Sequence, residues 1–391
     1  MASNNRAIGL GLTILIAALA NSALAAARLI LPIIALGMGA TGVFVGIMSA
    51  LSSASPMLWS VGFGRWVDRA GTRRPLFLAL TLIAVAAVPF FLSPGLPTLV
   101  PLAALVGTGA IFAHVAALRA VTASSAAAER TRNLGYLVFC YSLFQFVGPM
   151  IASLGFERFG AAAGVAAISG LAMLALLAAC FPGHGYRHVP AASADQTGAA
   201  GIATLVAIRS LRVWIIVSSV FSTAQVLFPF LLSLYSVDTG LSAPEAGIAL
   251  GGFALGTAAA RLATGFACRH LTTRSIATGS LLAAAAAYAS MPLVSGLHLV
   301  LPLSVALGLS LGMGVPIALT PIYDEAPEGR VNEAVGLSMT LNTLLQTATP
   351  LVFGVTATWF GVTALFWSIG LILIAAAAFG WVALRSGRPV R

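Results

Sequence analysis

Apolar stretches of about twenty residues recur from one end of the chain to the other, parted by short segments that hold the charges. Twenty residues of helix rise about 30 Å, the thickness of a bilayer's hydrocarbon core, and a water-soluble fold cannot hide so many runs of that length. The pattern predicts an all-α polytopic membrane protein of twelve transmembrane helices, at 8–36, 42–63, 74–92, 97–122, 133–154, 161–181, 210–236, 244–267, 275–293, 298–320, 332–356 and 362–384. No soluble domain of useful size is left over. The one long polar stretch, Pro182 to Arg209, contains Pro, Gly, Ser, His and Gln and reads as a cytoplasmic linker, ending in a short amphipathic helix from Ile202 to Arg212.

Sliding the chain over itself by 201 residues brings Gly39 onto Gly240, Gly46 onto Gly247, Gly64 onto Gly265 and Arg73 onto Arg274. The register continues without a gap through Pro101 and Pro302, Gly107 and Gly308, Gly135 and Gly336, Gln145 and Gln346, Pro149 and Pro350, and Gly160 and Gly361. Between 39 and 160 there are 23 identities in 122 positions, where composition alone gives about one in ten. A Gly and Ala bias does not readily produce one constant offset that also aligns the loops. The chain is therefore expected as two parallel six-helix repeats: an N-terminal bundle 1–181, the linker 182–209, and a C-terminal bundle 210–391.

Hydrophobic residues make up 59% of the 391 and charged residues 8%, so the formal charge of +10 needs a membrane explanation rather than a nucleic-acid one. All 20 basic residues are arginine. With the N-terminus inside, the loops after the second, fourth, sixth, eighth and tenth spans and both termini hold nearly all of them, with Arg28 and Arg158 as exceptions. The opposite loops carry Asp238, Glu245 and little else charged. This predicts a multi-pass inner-membrane protein with both termini cytoplasmic and no nucleic-acid partner. The first apolar run, Ile8 to Leu36, is too long for a signal peptide's apolar region and reads as a retained helix. Cys140, Cys180 and Cys268 have no metal-like spacing and read as packing residues. There is no Walker sequence, no His or Cys cluster and no nucleophile triad, and Gly107-Thr108-Gly109 lies inside an apolar helix. An enzyme, a cofactor and a metal are accordingly not expected.

All ten carboxylates, Asp68, Glu129, Glu157, Asp195, Asp238, Glu245, Asp324, Glu325, Glu328 and Glu333, fall in loops or at helix ends, so none is a clear proton carrier within the bilayer. The charges inside the spans are positive or titratable. Arg28 lies in the outward half of the first span, and His114 and Arg119 lie on the fourth. An intramembrane arginine costs about 2.5–3.5 kcal/mol or more unless it faces water or a partner, so Arg28 is either functional or snorkels to the outer surface. Arg119 suits cytoplasmic anchoring equally well. His114 titrates near neutrality in its unperturbed state and is either a proton carrier or a packing histidine. Tyr141 and Gln145, four apart, share a face of the fifth span, and the offset sends them to Asn342 and Gln346 on the eleventh. Asn21, Gln225 and Tyr288 are further polar or amphipathic residues within spans. The alternative for all of them is interhelical hydrogen bonding that holds the bundle, about 0.6 kcal/mol each. Phe144, Phe228 and Met313 offer apolar surface, as packing or as cavity wall.

Residues Gly64 to Arg74 read Gly-Arg-Trp-Val-Asp-Arg-Ala-Gly-Thr-Arg-Arg, five charges between two apolar runs. Glycine lets helix ends approach closely, and Asp68 can bond facing N–H groups or arginines. The spacing G-x-x-x-D-R-x-G-x-R-R resembles the loop between the second and third helices of the major facilitator superfamily, and with the repeat the whole chain looks like a member of that superfamily. The resemblance implies that the first, fourth, seventh and tenth helices line a cavity with the second, fifth, eighth and eleventh beside them, which makes Asn21, Arg28, His114, Tyr141, Gln145, Gln225, Asn342 and Gln346 candidate substrate contacts. Gly148-Pro149 resembles the core of the fifth-helix motif of superfamily exporters, although Phe144 and Ser153 replace flanking glycines. Gly107 matches the fourth-helix motif of proton-linked members, but Ala103 and Ala104 stand where that motif has its arginine.

The implied activity is secondary active transport of a small organic solute by rocker-switch alternating access, outward, with protons or a counter-transported ion as coupling partner, the lipid bilayer as environment and a functional monomer. Gly64, Arg65, Asp68, Arg69, Arg73, Arg74, Gly148 and Pro149 are the expected gating residues. The second copy places Arg269 and His270 where the first has Asp68 and Arg69, so the gate is expected to be asymmetric. A second reading is uptake or exchange of an organic anion through Arg28, His114 and Arg119. A non-transporting receptor needs a soluble output domain that the sequence does not show.

Overall fold

The computed structural model describes residues 2–125, 127–180, 204–327 and 330–385, and these contain helices and no strand. Helix α1 is Ala2–Gly37 and α2 is Gly42–Ala70. Helix α3 is Arg73–Val85, continued after a bend by Val88–Leu92, with Pro89 at the start of the second piece because it has no N–H to carry the ladder through. Then follow α4, Leu96–Ser124, α5, Ala127–Phe159, and α6, Ala161–Cys180. Most of the expected linker and the start of its amphipathic helix lie outside the described residues; 204–207 are helical and Ile208 interrupts the helix before Arg209. The second copy comprises α7, Arg209–Thr239, α8, Ala243–His270, α9, Thr273–Ser290, and α10, Leu297–Glu325.

The last helical run, Val331–Arg385, is too long for one membrane crossing, and Gly361 at φ 77° divides it into α11, 331–360, and α12, 362–385. Only a residue without Cβ takes that left-handed backbone without strain. Gly160, its partner at the 201 offset, stands between α5 and α6 at φ 79°. Among the described residues eleven helical stretches are apolar enough to span a membrane, the last of them 51 residues long, so the break at Gly361 makes twelve spans.

Other turns repeat in the same way. Gly39 and Gly240 both have positive φ, 84° and 72°. Thr41 and Ser242, at the same offset, cap α2 and α8: the Thr41 hydroxyl accepts from Phe44 N, and Ser242 forms a reciprocal box with Glu245, whose Oε2 accepts from Ser242 N at 2.9 Å.

One expectation is revised. The charged segment from Gly64 to Arg74 is mostly helix rather than loop: α2 continues to Ala70, and only Gly71, at φ 75°, and Thr72 link it to α3. Phe63 and Val67 are buried there, and Phe63 stacks on Phe112 of α4 at 3.7 Å, so packing extends the helix beyond its apolar run. Helix α8 likewise runs on to His270.

Two compact units emerge, Met1–Ala192 with Leu232–Gly251, and Ser193–Leu231 with Gly252–Arg391. In the first, α1 is central and packs on α4, α5 and α6, while α4 also packs on α2 and α3. Gly247, at the start of α8, belongs to this unit: a Cβ there would lie 2.5 Å from Ser153 Oγ and 3.4 Å from the Pro149 carbonyl oxygen of α5. In the second, α9 packs on α10 and on the α11–α12 run.

Small residues set the helix spacing within each unit. A Cβ on Gly107 of α4 would lie 2.7 Å from the Ser52 carbonyl carbon of α2, and one on Gly308 of α10 would lie 2.9 Å from the Phe253 carbonyl carbon of α8. Both glycines and both partners are 201 apart. One helical turn away, Ser55 Oγ donates to the Ala104 carbonyl at 3.0 Å, and Gly256 in the second copy lies against Val305, again 201 on. Such backbone contact is how helices associate where lipid removes the hydrophobic drive.

Candidate functional site

Arg28 sits on α1 one turn before Pro32, which cannot donate to the Arg28 carbonyl and so opens the helix there. The side chain faces the bundle: with Leu24, Leu31, Met48, Ser49 and Ala103 it lines a cavity of about 20 Å³ between α1, α2 and α4. It therefore does not snorkel along the outside of the bundle. Arg28 forms no ion pair or hydrogen bond with the described residues. Among the described residues the Ser49 hydroxyl beside it has no hydrogen-bond partner, whereas Ser52 Oγ donates to the Ser49 carbonyl at 2.7 Å. Ala103, standing where the fourth-helix motif has its arginine, borders the same cavity, so a guanidinium reaches that place from α1.

His114 and Tyr141 come together. Nδ1 of His114 and the Tyr141 hydroxyl are hydrogen-bonded at 3.0 Å across α4 and α5. Tyr141 is 9% exposed and packs with Ile14, Ala17 and Ala18 of α1 and Ala117 and Val121 of α4. His114 and Arg28 are not neighbours. Ala103, which borders Arg28, is eleven residues from His114 on α4, about 16 Å along the axis. Arg119 lies further on, half-buried. The three positive groups do not share one site.

The matched polar pairs differ between copies. In the second unit Gln346 Nε2 of α11 donates to Ser222 Oγ of α7 at 2.8 Å. The offset maps these to Gln145 and Asn21, where no such bond forms, and the Asn21 side-chain nitrogen is buried without a partner among the described residues. Asn342 Oδ1 is likewise buried and unpartnered, while Gln225 is half-buried on α7. Tyr288 is fully buried, and its hydroxyl donates to the Ala224 carbonyl at 2.8 Å, so it packs α9 against α7. Phe228 is buried against Phe253, 4.7 Å between ring centroids, and is a packing residue in its unit.

Among the gating residues, Gly148 is held against α1: a Cβ there would lie 2.8 Å from the Ser22 carbonyl carbon, and Ser22 Oγ donates to the Phe144 carbonyl at 2.8 Å. Pro149 follows inside α5. Nothing stands within 4 Å of a Cβ on Gly64. Arg69, Arg73 and Arg74 are exposed, with the Arg73 guanidinium 5.8 Å from the Phe77 ring; the side chains of Arg65 and Asp68 lie outside the described residues. Arg274, the counterpart of Arg73, does more. Its guanidinium lies 3.9 Å from the Trp381 ring centroid and donates to the Trp381 carbonyl, tying the start of α9 to α12.

Five polar residues that matter here carried little or no signal in the sequence reading. Ser22, Ser49 and Ser52 are short side chains inside apolar runs and give no local signal. Ser222 was reachable, because the offset maps it to Asn21. Arg261, half-buried on α8, is a further intramembrane arginine that its long apolar surroundings should have flagged.

With this geometry in hand, comparison with known proteins is informative. The bacterial homologue of the human lysosomal transporter Spinster, in an inward-facing and occupied conformation, matches with a TM-score of 0.80 at 16% identity, over 98% of this chain and 97% of that one. A POT family transporter in complex with a thioalcohol-conjugated peptide matches with a TM-score of 0.76 at 13% identity, over 96% of each chain. At such identities the likeness concerns the fold. No curated protein matches by sequence. The family model of the Major Facilitator Superfamily matches residues 10–346 and 213–391. Twelve spans, a parallel repeat with repeated contacts, and a family match over most of the length make this chain a polytopic membrane transporter that belongs to the Major Facilitator Superfamily.

Proposed function

We propose that this transporter moves a small organic solute by rocker-switch alternating access, with 1–181 and 210–391 as its two bundles and 182–209 joining them. The observation that carries this reading is the doubled contact at Gly107 on Ser52 and Gly308 on Phe253. Each half is fastened internally by backbone-to-backbone packing, and packed interiors switch as bodies rather than deform continuously. Transport runs outward across the inner membrane from a chain with both termini cytoplasmic, a direction supported by the export-type Gly148-Pro149. Asn21, Gln145, Gln225, Asn342 and Gln346 line the solute path, and Asp68 with its neighbouring arginines closes the cytoplasmic end of the N-terminal half. Protons or a counter-ion drive it, and the hydrogen-bonded His114–Tyr141 pair is the candidate coupling group inside the spans.

The test is counterflow in proteoliposomes against panels of organic anions, cations and neutral solutes, with and without a pH gradient. Saturable exchange of at least one solute is the expected result. Ligand binding that persists while every panel fails to exchange would establish a receptor instead.

A further inference from the structure

We propose that the solute carries a carboxylate and that Arg28 with Ser49 forms its seat; this rests on the carrier reading and names the chemical class of its cargo. A guanidinium inside a bilayer-spanning bundle is held only if an anion or water compensates it, and an unpaired buried charge is strongly destabilising. Arg28 has no such partner among the described residues, whose carboxylates lie near helix ends. Compensation therefore comes from outside the described residues, and an anionic solute supplies it more strongly than water.

Size and polarity narrow what brings it. The cavity holds about 20 Å³, and a single water needs about 10–15 Å³ on that measure, so its enclosed part takes a group of one or two water-sized atoms. A flat carboxylate with two oxygens suits so small a space better than a tetrahedral phosphate with four. The guanidinium fork matches two carboxylate oxygens, and the Ser49 hydroxyl, uncommitted among the described residues, adds a third donor. The remaining wall is apolar apart from Ser52, whose hydroxyl donates to the Ser49 carbonyl, and Leu24, Leu31, Pro32 and Met48 suit a hydrocarbon or aromatic body next to the anion. His114 and Arg119 play no part in this seat, being a further stretch of α4 away.

The probes are benzoate and butyrate, against benzamide, chloride and inorganic phosphate, on the full-length protein in phosphatidylcholine nanodiscs. Thermal unfolding is read as a function of probe concentration. Both carboxylates are expected to raise the melting temperature saturably, and benzamide is not. Arg28→Gln should weaken the apparent affinity roughly ten- to hundredfold, Arg28→Lys should restore part of it, and Ser49→Ala should weaken it several-fold. If Arg28→Gln fails to fold, Arg28→Lys and Ser49→Ala carry the comparison. Equal stabilisation by chloride or phosphate, stabilisation only when phosphatidylglycerol is present, absence of stabilisation by either carboxylate, or affinity unchanged in these variants would each overturn the seat. Counterflow separates this outcome from the carrier reading. Exchange of a neutral or cationic solute that is indifferent to Arg28→Gln leaves a carrier without the seat, whereas carboxylate binding with no exchange leaves the seat without a carrier.

Discussion

Replacing Gly107 by alanine puts a methyl group where the α2 backbone already is. The added Cβ would lie 2.7 Å from the Ser52 carbonyl carbon and 2.8 Å from its Cα, whereas carbon pairs rest at about 3.5–4.0 Å. The helices must therefore part by about 1 Å at this level. Overpacking of that kind costs about 1–3 kcal/mol. The same movement stretches two interhelical hydrogen bonds, Ser55 Oγ to the Ala104 carbonyl at 3.0 Å and Thr108 Oγ1 to Ser55 Oγ at 2.9 Å. At about 0.6 kcal/mol each in a membrane interior, they bring the total for Gly107→Ala to about 2–4 kcal/mol. Gly308→Ala meets the Phe253 carbonyl carbon at 2.9 Å, but Gly256 replaces the bonding serine there, so only the packing part of about 1–3 kcal/mol applies. The internal control is Gly135 and Gly336, also 201 apart, around which a Cβ meets nothing within 4 Å. Alanine there should stabilise by about 0.5–1 kcal/mol through helix propensity. Equilibrium unfolding of the four variants in mixed micelles measures all of this. If Gly107→Ala is as stable as Gly135→Ala, the close α2–α4 contact is wrong and with it the argument for two internally rigid halves.

Gly160→Ala and Gly361→Ala should each lose about 1–2 kcal/mol of stability in the same assay, because φ of 79° and 77° is disfavoured for any residue with a Cβ; a neutral result would place the chain reversals elsewhere. Gln346→Leu should lower stability by only about 0.6 kcal/mol while altering solute affinity in counterflow, and stability loss with unchanged affinity would make Gln346 a purely structural tie to Ser222. Asp68→Ala should reduce turnover in proteoliposomes more than equilibrium ligand affinity, and unchanged turnover removes Asp68 from the gate. Trp381→Ala should loosen the α9–α12 tie held by Arg274 and lower the melting temperature, with Trp381→Phe retaining much of it; equal losses would rule out the ring face as the source.

The span count, the repeat and the turns were legible in the sequence because each rests on a property of single residues. Apolar length fixes a span, and a glycine in left-handed backbone fixes a turn, as at Gly39, Gly160, Gly240 and Gly361. The helical extension to Ala70 was not legible, since charged residues look like loop until the burial of Phe63 and Val67 is known. The site was legible only in part. Arg28, His114 and Tyr141 stood out by charge or polarity, and the His114–Tyr141 bond confirms that two of them meet. Which residues border Arg28 was beyond reach. Ser49 and Ala103 come from different helices, and the way three helices pack fixes their rotation about their own axes.

The offset of 201 separates scaffold from chemistry within a single chain. Where both copies keep a residue, its structural role is visible twice: Gly107 and Gly308 let helices touch, and Gly160 and Gly361 turn the chain. Where the copies differ, one member often bears charge or hydrogen-bonding capacity that the scaffold does not consume. Arg28 corresponds to Pro229, His114 to Val315, Tyr141 to Asn342 and Asp68 to Arg269. A residue that only holds the bundle can differ between the halves too, as Ser55 and Gly256 or Arg73 and Arg274 do, so asymmetry points to chemistry where, as at Arg28, no described residue takes up the group. A bound solute, by contrast, has no internal symmetry of its own. A site that grips one end of it by charge gains nothing from a second guanidinium at the related position, where Pro229 already shapes α7. The asymmetry at Arg28 is thus what a polar-headed, apolar-bodied cargo demands of a twofold scaffold, and it is the reason to begin mutagenesis there rather than at the matched glutamines.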